Sequence, residues 1–173
     1  MRLFAAICFS DKTREQLFSA VQALRKQGHG QFSSAENLHL TLAFLGETED
    51  TTAAINALSK VQSQAFSLRF DGIGQFGNLY WAVICENDSL RTLQSQLMHH
   101  LQAAGFVFEE REFVPHITLA RHYKPGENFS HASIEQNLSC IEEPVLEIAL
   151  MRTLPCGNGV RYQTLAVQPL LQK

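Results

Sequence analysis

Two short stretches carry the residue types and the spacing that can do chemistry. In Asn37-Leu38-His39-Leu40-Thr41-Leu42-Ala43-Phe44-Leu45-Gly46 a histidine and a threonine stand two residues apart between apolar neighbours. Pro115-His116-Ile117-Thr118-Leu119-Ala120-Arg121 repeats the arrangement. Residues i and i+2 of a β-strand project from one face, so His39 and Thr41 are expected to share a face backed by Leu40 and Leu42, and His116 and Thr118 to do the same. Histidine titrates near neutrality, so one imidazole can take a proton while another gives one. That pairing suits a reaction in which a hydroxyl or water attacks as an alkoxide leaves, and transfer at phosphorus is such a reaction. A threonine hydroxyl beside each ring can donate to non-bridging phosphate oxygens, where charge gathers in the transition state. Arg121, three residues past Thr118, can add a bidentate guanidinium clamp.

Other polar and aromatic residues offer less specific chemistry. His39, His116 and His122 could ligate zinc, but carboxylate or cysteine ligands at a characteristic spacing are missing. Cys8, Cys85, Cys140 and Cys156 lie far apart without a C-x-x-C pair, as expected of buried thiols in a reducing cytoplasm. His99-His100 falls late in a predicted helix, on a solvated face. Phe76, within Gly74-Gln75-Phe76-Gly77-Asn78, is a candidate for stacking on a base, whereas Trp81 reads as core. Tyr162 fits either the groove or the core.

The elements that must position these residues follow from periodicity. Leu3 to Phe9 reads as a buried strand, Ser10-Asp11 as a helix cap, and Leu17, Val21 and Leu24 as the apolar stripe of a helix ended by Gly28. Gly28 to Glu36 reads as a loop before the first histidine strand. A second helix carries Ala54, Leu58 and Val61, and Phe66, Leu68 and Phe70 alternate as in a half-buried strand. Asp71 to Asn78 reads as a turn-rich connection to a strand at Leu79 to Cys85. There the chain repeats itself. Adding 77 maps Phe4–Cys8 onto Trp81–Cys85, His39 onto His116, Thr41 onto Thr118, and Leu42-Ala43 onto Leu119-Ala120. After Gly126 the offset becomes 80, pairing Phe66, Leu68 and Phe70 with Leu146, Ile148 and Leu150.

An internal repeat constrains architecture more than any single element does. The expectation is an α+β fold of two pseudo-symmetric lobes from an internal duplication, each an antiparallel sheet flanked by helices, with a central active-site cleft. Residues 1–173 would form one bilobal domain, with repeats near 1–77 and 78–155 and a closing strand at 160–168. A pseudo-two-fold axis would bring the two histidine strands face to face.

The totals set outer limits. At 173 residues, 45% hydrophobic and 18% charged, the chain has ample material for a core. A formal net charge of -3 excludes a general basic coat, so a nucleic acid would be held locally, by its end. Ser10-Asp11-Lys12 ends the first apolar run too early for a signal peptide, and no stretch is long enough for a membrane span. A cytoplasmic location is expected.

The motifs "ENLHLTLAFLGE" and "FVPHITLAR" resemble those of the two-histidine phosphoesterases, and within them the bacterial RNA 2′,3′-cyclic phosphodiesterases, also called 2′-5′ RNA ligases. The resemblance runs from "RLFAAI" to the residues around Tyr162. It implies opening of a 2′,3′-cyclic phosphate at an RNA end to a 2′-phosphomonoester, with no metal or other cofactor. With a 5′-hydroxyl end as nucleophile, the same chemistry implies reversible 2′-5′ ligation without ATP. His39 is assigned as proton donor and His116 as proton acceptor, with Thr41, Thr118 and Arg121 binding the phosphate. The expected partner is RNA with a 2′,3′-cyclic phosphate end or a nucleotide ligand, with no membrane, and the chain is expected to be a monomer. Alternatives are a phosphodiesterase of small cyclic nucleotides or 2′-5′ oligoadenylates, and a non-catalytic nucleotide-binding module. The stretch before Trp81 lacks the basic residues that relatives often place there, which weakens the expected grip on RNA beyond its terminal nucleotide.

Overall fold

Leu3 to Ile7 is buried at every residue, and it forms an interior strand, β1 (Arg2–Cys8). The structure, a computed structural model, describes residues 1–172; Lys173, the last residue of the expected domain, lies outside the described residues. Ser10 caps α1 (Asp11–Gln27), its hydroxyl accepting from the Thr13 backbone N–H at 3.3 Å. The helix buries Leu17, Ala20, Val21 and Leu24, one stripe at helical spacing. Then come β2 (Gly28–Phe32), a single 3-10 turn (Ala35–Asn37) and β3 (His39–Glu47). α2 (Thr51–Leu58) is capped by Asp50, whose carboxylate accepts from the Ala53 N–H at 2.9 Å. β4 (Phe66–Phe76), β5 (Leu79–Ile84) and α3 (Asp88–Ala103) follow, the helix burying Leu90, Leu93, Leu97 and Leu101. The order ends with β6 (His116–Pro125), α4 (His131–Glu135), β7 (Glu142–Val145), β8 (Glu147–Cys156) and β9 (Gly159–Pro169).

The strands form two sheets, ordered β3-β1-β8-β9 and β2-β6-β5-β4-β7, with antiparallel neighbours throughout. Helices α1 and α4 pack against the five-stranded sheet, and α2 and α3 against the four-stranded one. The repeated order β1-α1-β3-α2-β4 and β5-α3-β6-α4-β8 is visible in the elements. The sheets do not follow the repeat boundary, however. β4 lies beside β5 and β8 beside β1, so each half contributes its third strand to the other half's sheet. The cause is local: Gly77-Asn78 is a two-residue turn with Gly77 at φ +57°, which holds β4 and β5 together as a hairpin.

Two segments differ from the loops expected of them. Gly28 to Phe32 is an edge strand against β6, exposed along most of its length, so it leaves no apolar period in the sequence. Its glycines serve close approach: a Cβ at Gly28 would sit 2.4 Å from the Lys124 carbonyl oxygen. Asp71 to Phe76 continues β4, and only Gly77-Asn78 turns. At Gly74 a Cβ would meet the Trp81 indole nitrogen at 2.3 Å, so this glycine makes room for a ring.

A buried carboxylate ties the two sheets together. Glu143, on β7, accepts from the Ser10 backbone N–H at 2.7 Å, the Ser10 hydroxyl at 2.8 Å and the Thr13 hydroxyl at 2.6 Å. It thereby satisfies the start of α1 from the far side of the molecule.

Candidate active site

Alternation along β3 and β6 puts the polar pairs on one face and seats their neighbours in the core. Leu40, Leu42, Ile117 and Leu119 are all buried, whereas His39, Thr41, His116 and Thr118 are half-buried. Burying each such side chain contributes roughly 1.5–3 kcal/mol, so the core fixes which face the histidines occupy.

Each ring is then oriented by its own backbone. His39 Nδ1 lies 2.7 Å from the Asn37 carbonyl oxygen, and His116 Nδ1 lies 2.8 Å from that of Val114. A carbonyl only accepts, so both neutral rings carry their proton on Nδ1 and a lone pair on Nε2. His39 Nε2 accepts from the Thr41 hydroxyl at 3.0 Å. The two carbonyl partners are themselves 77 residues apart, two residues before each histidine.

Both strands carry a bulge at the same place. Thr41 pairs with Ala6 and Ala43 with Ala5, leaving Leu42 unopposed; Thr118 pairs with Trp81 and Ala120 with Tyr80, leaving Leu119 unopposed. An extra residue reverses the alternation beyond it. Ala43 and Ala120 are therefore buried, and the next residues, Phe44 and Arg121, turn outward.

These residues meet in one cleft of about 1050 Å³. β3 and β6 contact each other there, and His39, Thr41, His116, Thr118 and Arg121 all line it. Arg2 lines it as well, and no aspartate or glutamate does. A cleft lined by cations in a chain of net charge -3 is a local site for an anion.

The two rings differ in surroundings. His39 packs between Phe4, at 5.0 Å between ring centroids, and Tyr162, also at 5.0 Å and edge-on. Burial pushes its pKa below the usual histidine value; the Asn37 hydrogen bond opposes this, and the nearby His116 and Arg121 add to it. Burial thus favours the neutral form of His39 in the free protein. Among the aromatic rings of the described residues, His116 meets Trp81, edge-on at 5.7 Å.

The structure brings together His39, Thr41, His116, Thr118 and Arg121 as expected, and places Tyr162 in the cleft. It does not place Phe76 there: that residue is exposed at the end of the β4–β5 hairpin and does not line the cleft. The extension of β4 carries it to the hairpin tip. Trp81, read as core, is half-buried beside His116, because Gly74 leaves room for its ring. His122 is exposed and outside the cleft, and among the described residues no three His, Cys, Asp or Glu side chains cluster as metal ligands. Phe44 went unnoticed in the sequence. Extending the 77-residue correspondence by one position beyond Leu42-Ala43 and Leu119-Ala120 would have paired it with Arg121.

Known proteins are similar to this chain in sequence and in fold. Residues 12–154 match the 2′-5′ RNA ligase superfamily. The RNA 2′,3′-cyclic phosphodiesterase of Thermotoga maritima is 33% identical over 163 residues, covering 88% of this chain and 83% of that protein. Escherichia coli LigT in apo form superposes with a TM-score of 0.83 at 27% identity, covering 99% of this chain and 98% of that one. The same protein complexed with 3′-AMP gives a TM-score of 0.80 over the same shares, again at 27% identity.

Proposed function

The chain belongs to the 2′-5′ RNA ligase superfamily and is an RNA 2′,3′-cyclic phosphodiesterase, and we propose that His39 and His116 divide the proton transfers of that reaction between them. The observation that carries this reading is the shared tether. Each Nδ1 is held by a backbone carbonyl two residues back, which leaves each Nε2 as the nitrogen that exchanges a proton in the cleft, that of His39 once the Thr41 hydroxyl turns to the phosphate.

With a 2′,3′-cyclic phosphate between the rings, His116 Nε2 takes a proton from water as the water oxygen bonds to phosphorus. The P–O3′ bond breaks, and His39 gives its Nε2 proton to O3′. The products are a 2′-phosphomonoester and a free 3′-hydroxyl. Thr41, Thr118 and Arg121 hold the non-bridging oxygens, where the transition state gathers charge. Burial favours the neutral form of His39 in the free protein, so the ring takes up its proton from solvent as substrate binds. The phosphate supplies the means, since its negative charge offsets the repulsion from Arg121 and His116. A 5′-hydroxyl RNA end in place of water would form a 2′-5′ linkage by the same transfers, reversibly and without ATP.

Side chains fill every acid, base and charge-stabilising role, so the reaction is read as metal-independent. Residues 1–173 are read as one bilobal domain acting as a monomer on RNA ends. The four cysteines are free, but Cys8, Cys140 and Cys156 are exposed and Cys85 half-buried, where buried thiols were expected. Free thiols suit the cytoplasm, and among the described residues no helix is long and apolar enough to cross a membrane. The test is incubation with a cyclic-phosphate-ended oligonucleotide and 2′,3′-cyclic mononucleotides, with and without a chelator. Hydrolysis to 2′-phosphates in both conditions is expected. Loss of activity on chelation would remove the metal-free mechanism, and hydrolysis of mononucleotides alone would favour a small cyclic nucleotide as substrate.

A further inference from the structure

We propose that Asn37 is a positioning residue: its side chain, held by the β8–β9 hairpin, keeps the proton of His39 aimed at the leaving oxygen. This rests on the phosphodiesterase reading and deepens it by naming what steadies the donor ring. The carbonyl that holds His39 Nδ1, at 2.7 Å, belongs to Asn37. The side-chain amide of the same residue donates to the Val160 carbonyl oxygen at 2.8 Å, across 123 positions of the chain. Val160 stands at the start of β9, and it lines the cleft together with Asn37. Among the described residues this is the one hydrogen bond that joins the 3-10 turn before β3 to that hairpin. Asn37 thus reaches the ring with its main chain and the hairpin with its side chain. Its carbonyl also favours the charged ring against the burial that opposes it, so a carbonyl that drifts loses both aim and proton.

The second half shows why the first needs this pin. The shift of 77 places Val114 where Asn37 stands and Pro115 where Leu38 stands. Val114 supplies the carbonyl for His116 Nδ1 at 2.8 Å, but it has no polar side chain and is 56% exposed. There the covalent chain does the steadying: the Pro115 ring fixes its own φ and confines the residue before it to extended backbone. Leu38 imposes no such limit. The N–H of the peptide that carries the Asn37 carbonyl reaches the Ala35 carbonyl oxygen only at 3.4 Å, beyond the usual hydrogen-bond range. Burial of the Leu38 side chain fixes the far side of that peptide, and the bond to Val160 fixes the near side. The two tethers are alike at the ring and stiffened differently behind it.

The test compares Asn37→Ala and Asn37→Leu with the unaltered protein on 2′,3′-cyclic AMP and on a 4-nitrophenyl ester of adenosine 2′-phosphate. On the first, the water oxygen bonds to phosphorus, the P–O3′ bond breaks and O3′ takes its proton from His39. On the second, the bond from phosphorus to the aryl oxygen breaks, and 4-nitrophenolate leaves with the electron pair and needs no proton. Both variants should lower kcat on the cyclic phosphate roughly 5- to 100-fold with KM little changed, the larger figure being the cost of about 1 Å of misplacement. Both should keep their rate on the nitrophenyl ester. Leucine conserves the bulk of asparagine and lacks its donor, so a shared loss assigns the effect to the hydrogen bond. The alkaline limb of the rate profile on the cyclic phosphate should move to lower pH in both variants, because the carbonyl that raises the His39 pKa is loosened. An unchanged kcat on the cyclic phosphate in Asn37→Ala, or an unmoved limb, would overturn the role while leaving the phosphodiesterase intact. An equal loss on both substrates would overturn it too, by showing a merely structural contribution. Failure of the unaltered protein to open the cyclic phosphate would instead remove the reading on which the role rests.

Discussion

His39 and His116 are held by the same local device and live in different places. Each stands on a strand backed by buried leucine or isoleucine, donates from Nδ1 to a carbonyl two residues back, and precedes a Leu-Ala bulge. The surroundings then diverge. His39 is packed between Phe4 and Tyr162, and burial favours its neutral form. His116 has one aromatic neighbour among the described residues, the edge of Trp81. Past the bulge one strand shows Phe44 and the other Arg121. Sheet register differs as well, His39 pairing with Cys8 and His116 with Val83, two residues short of the position equivalent to Cys8. A two-residue slip keeps the same faces, so the symmetry of orientation survives a change in neighbours. Repetition supplies two equivalently tethered imidazoles; divergence around them gives the cleft two unlike ends.

Removing either ring should break the comparison most severely. His39→Ala and His116→Ala should each lower kcat at least 100-fold, since acid-base catalysis contributes roughly 10²–10⁴. A rate within a few-fold of the unaltered protein in steady-state assays would take that ring out of the mechanism. Next in size is the cation that only the second histidine strand carries past its bulge. Arg121→Ala removes charge-assisted hydrogen bonds worth roughly 1.5–3 kcal/mol, so kcat/KM should fall about 10- to 150-fold, with lysine restoring part of it.

The smallest effect concerns the proton on His39. Monitored by NMR, this ring should titrate below the ordinary histidine value in the free protein and move upward when inorganic phosphate enters the cleft. Arg121→Ala should also move it upward, by removing a neighbouring positive charge. The sign for stability follows. The folded ring resists a proton that the unfolded chain accepts, so this contribution to stability is present above the ordinary histidine pKa and is lost as pH falls. A His39 pKa at or above the ordinary value without phosphate would show that burial does not govern the ring.

Much of the site was legible because it depends on short-range spacing. Period two placed His39 with Thr41 and His116 with Thr118, and the 77-residue correspondence made the two strands halves of one cleft. Capping at Ser10 was equally local. The rest depended on partners that a sequence does not name. β2 buries too little to leave a period, and its glycines served close approach to β6 where they read as a loop. Gly74 likewise seats the Trp81 ring, so β4 ran on through a stretch that resembled a turn and carried Phe76 away from the cleft. The exchange of β4 and β8 between sheets follows from a two-residue hairpin turn, which the repeat alone does not reveal. Phe44 was hidden by a bulge that only strand pairing makes visible.

The central claim is that the two equivalent histidines perform opposite transfers. It is tested most directly with a nucleotide phosphodiester whose leaving group is 4-nitrophenolate, which departs without needing a proton. His39→Ala, crippled on a 2′,3′-cyclic phosphate, should recover nearly the full rate on this ester, whereas His116→Ala should remain slow on both. Recovery by His116→Ala would reverse the assignment, and equal losses for both variants on both substrates would contradict a division of labour between the two halves.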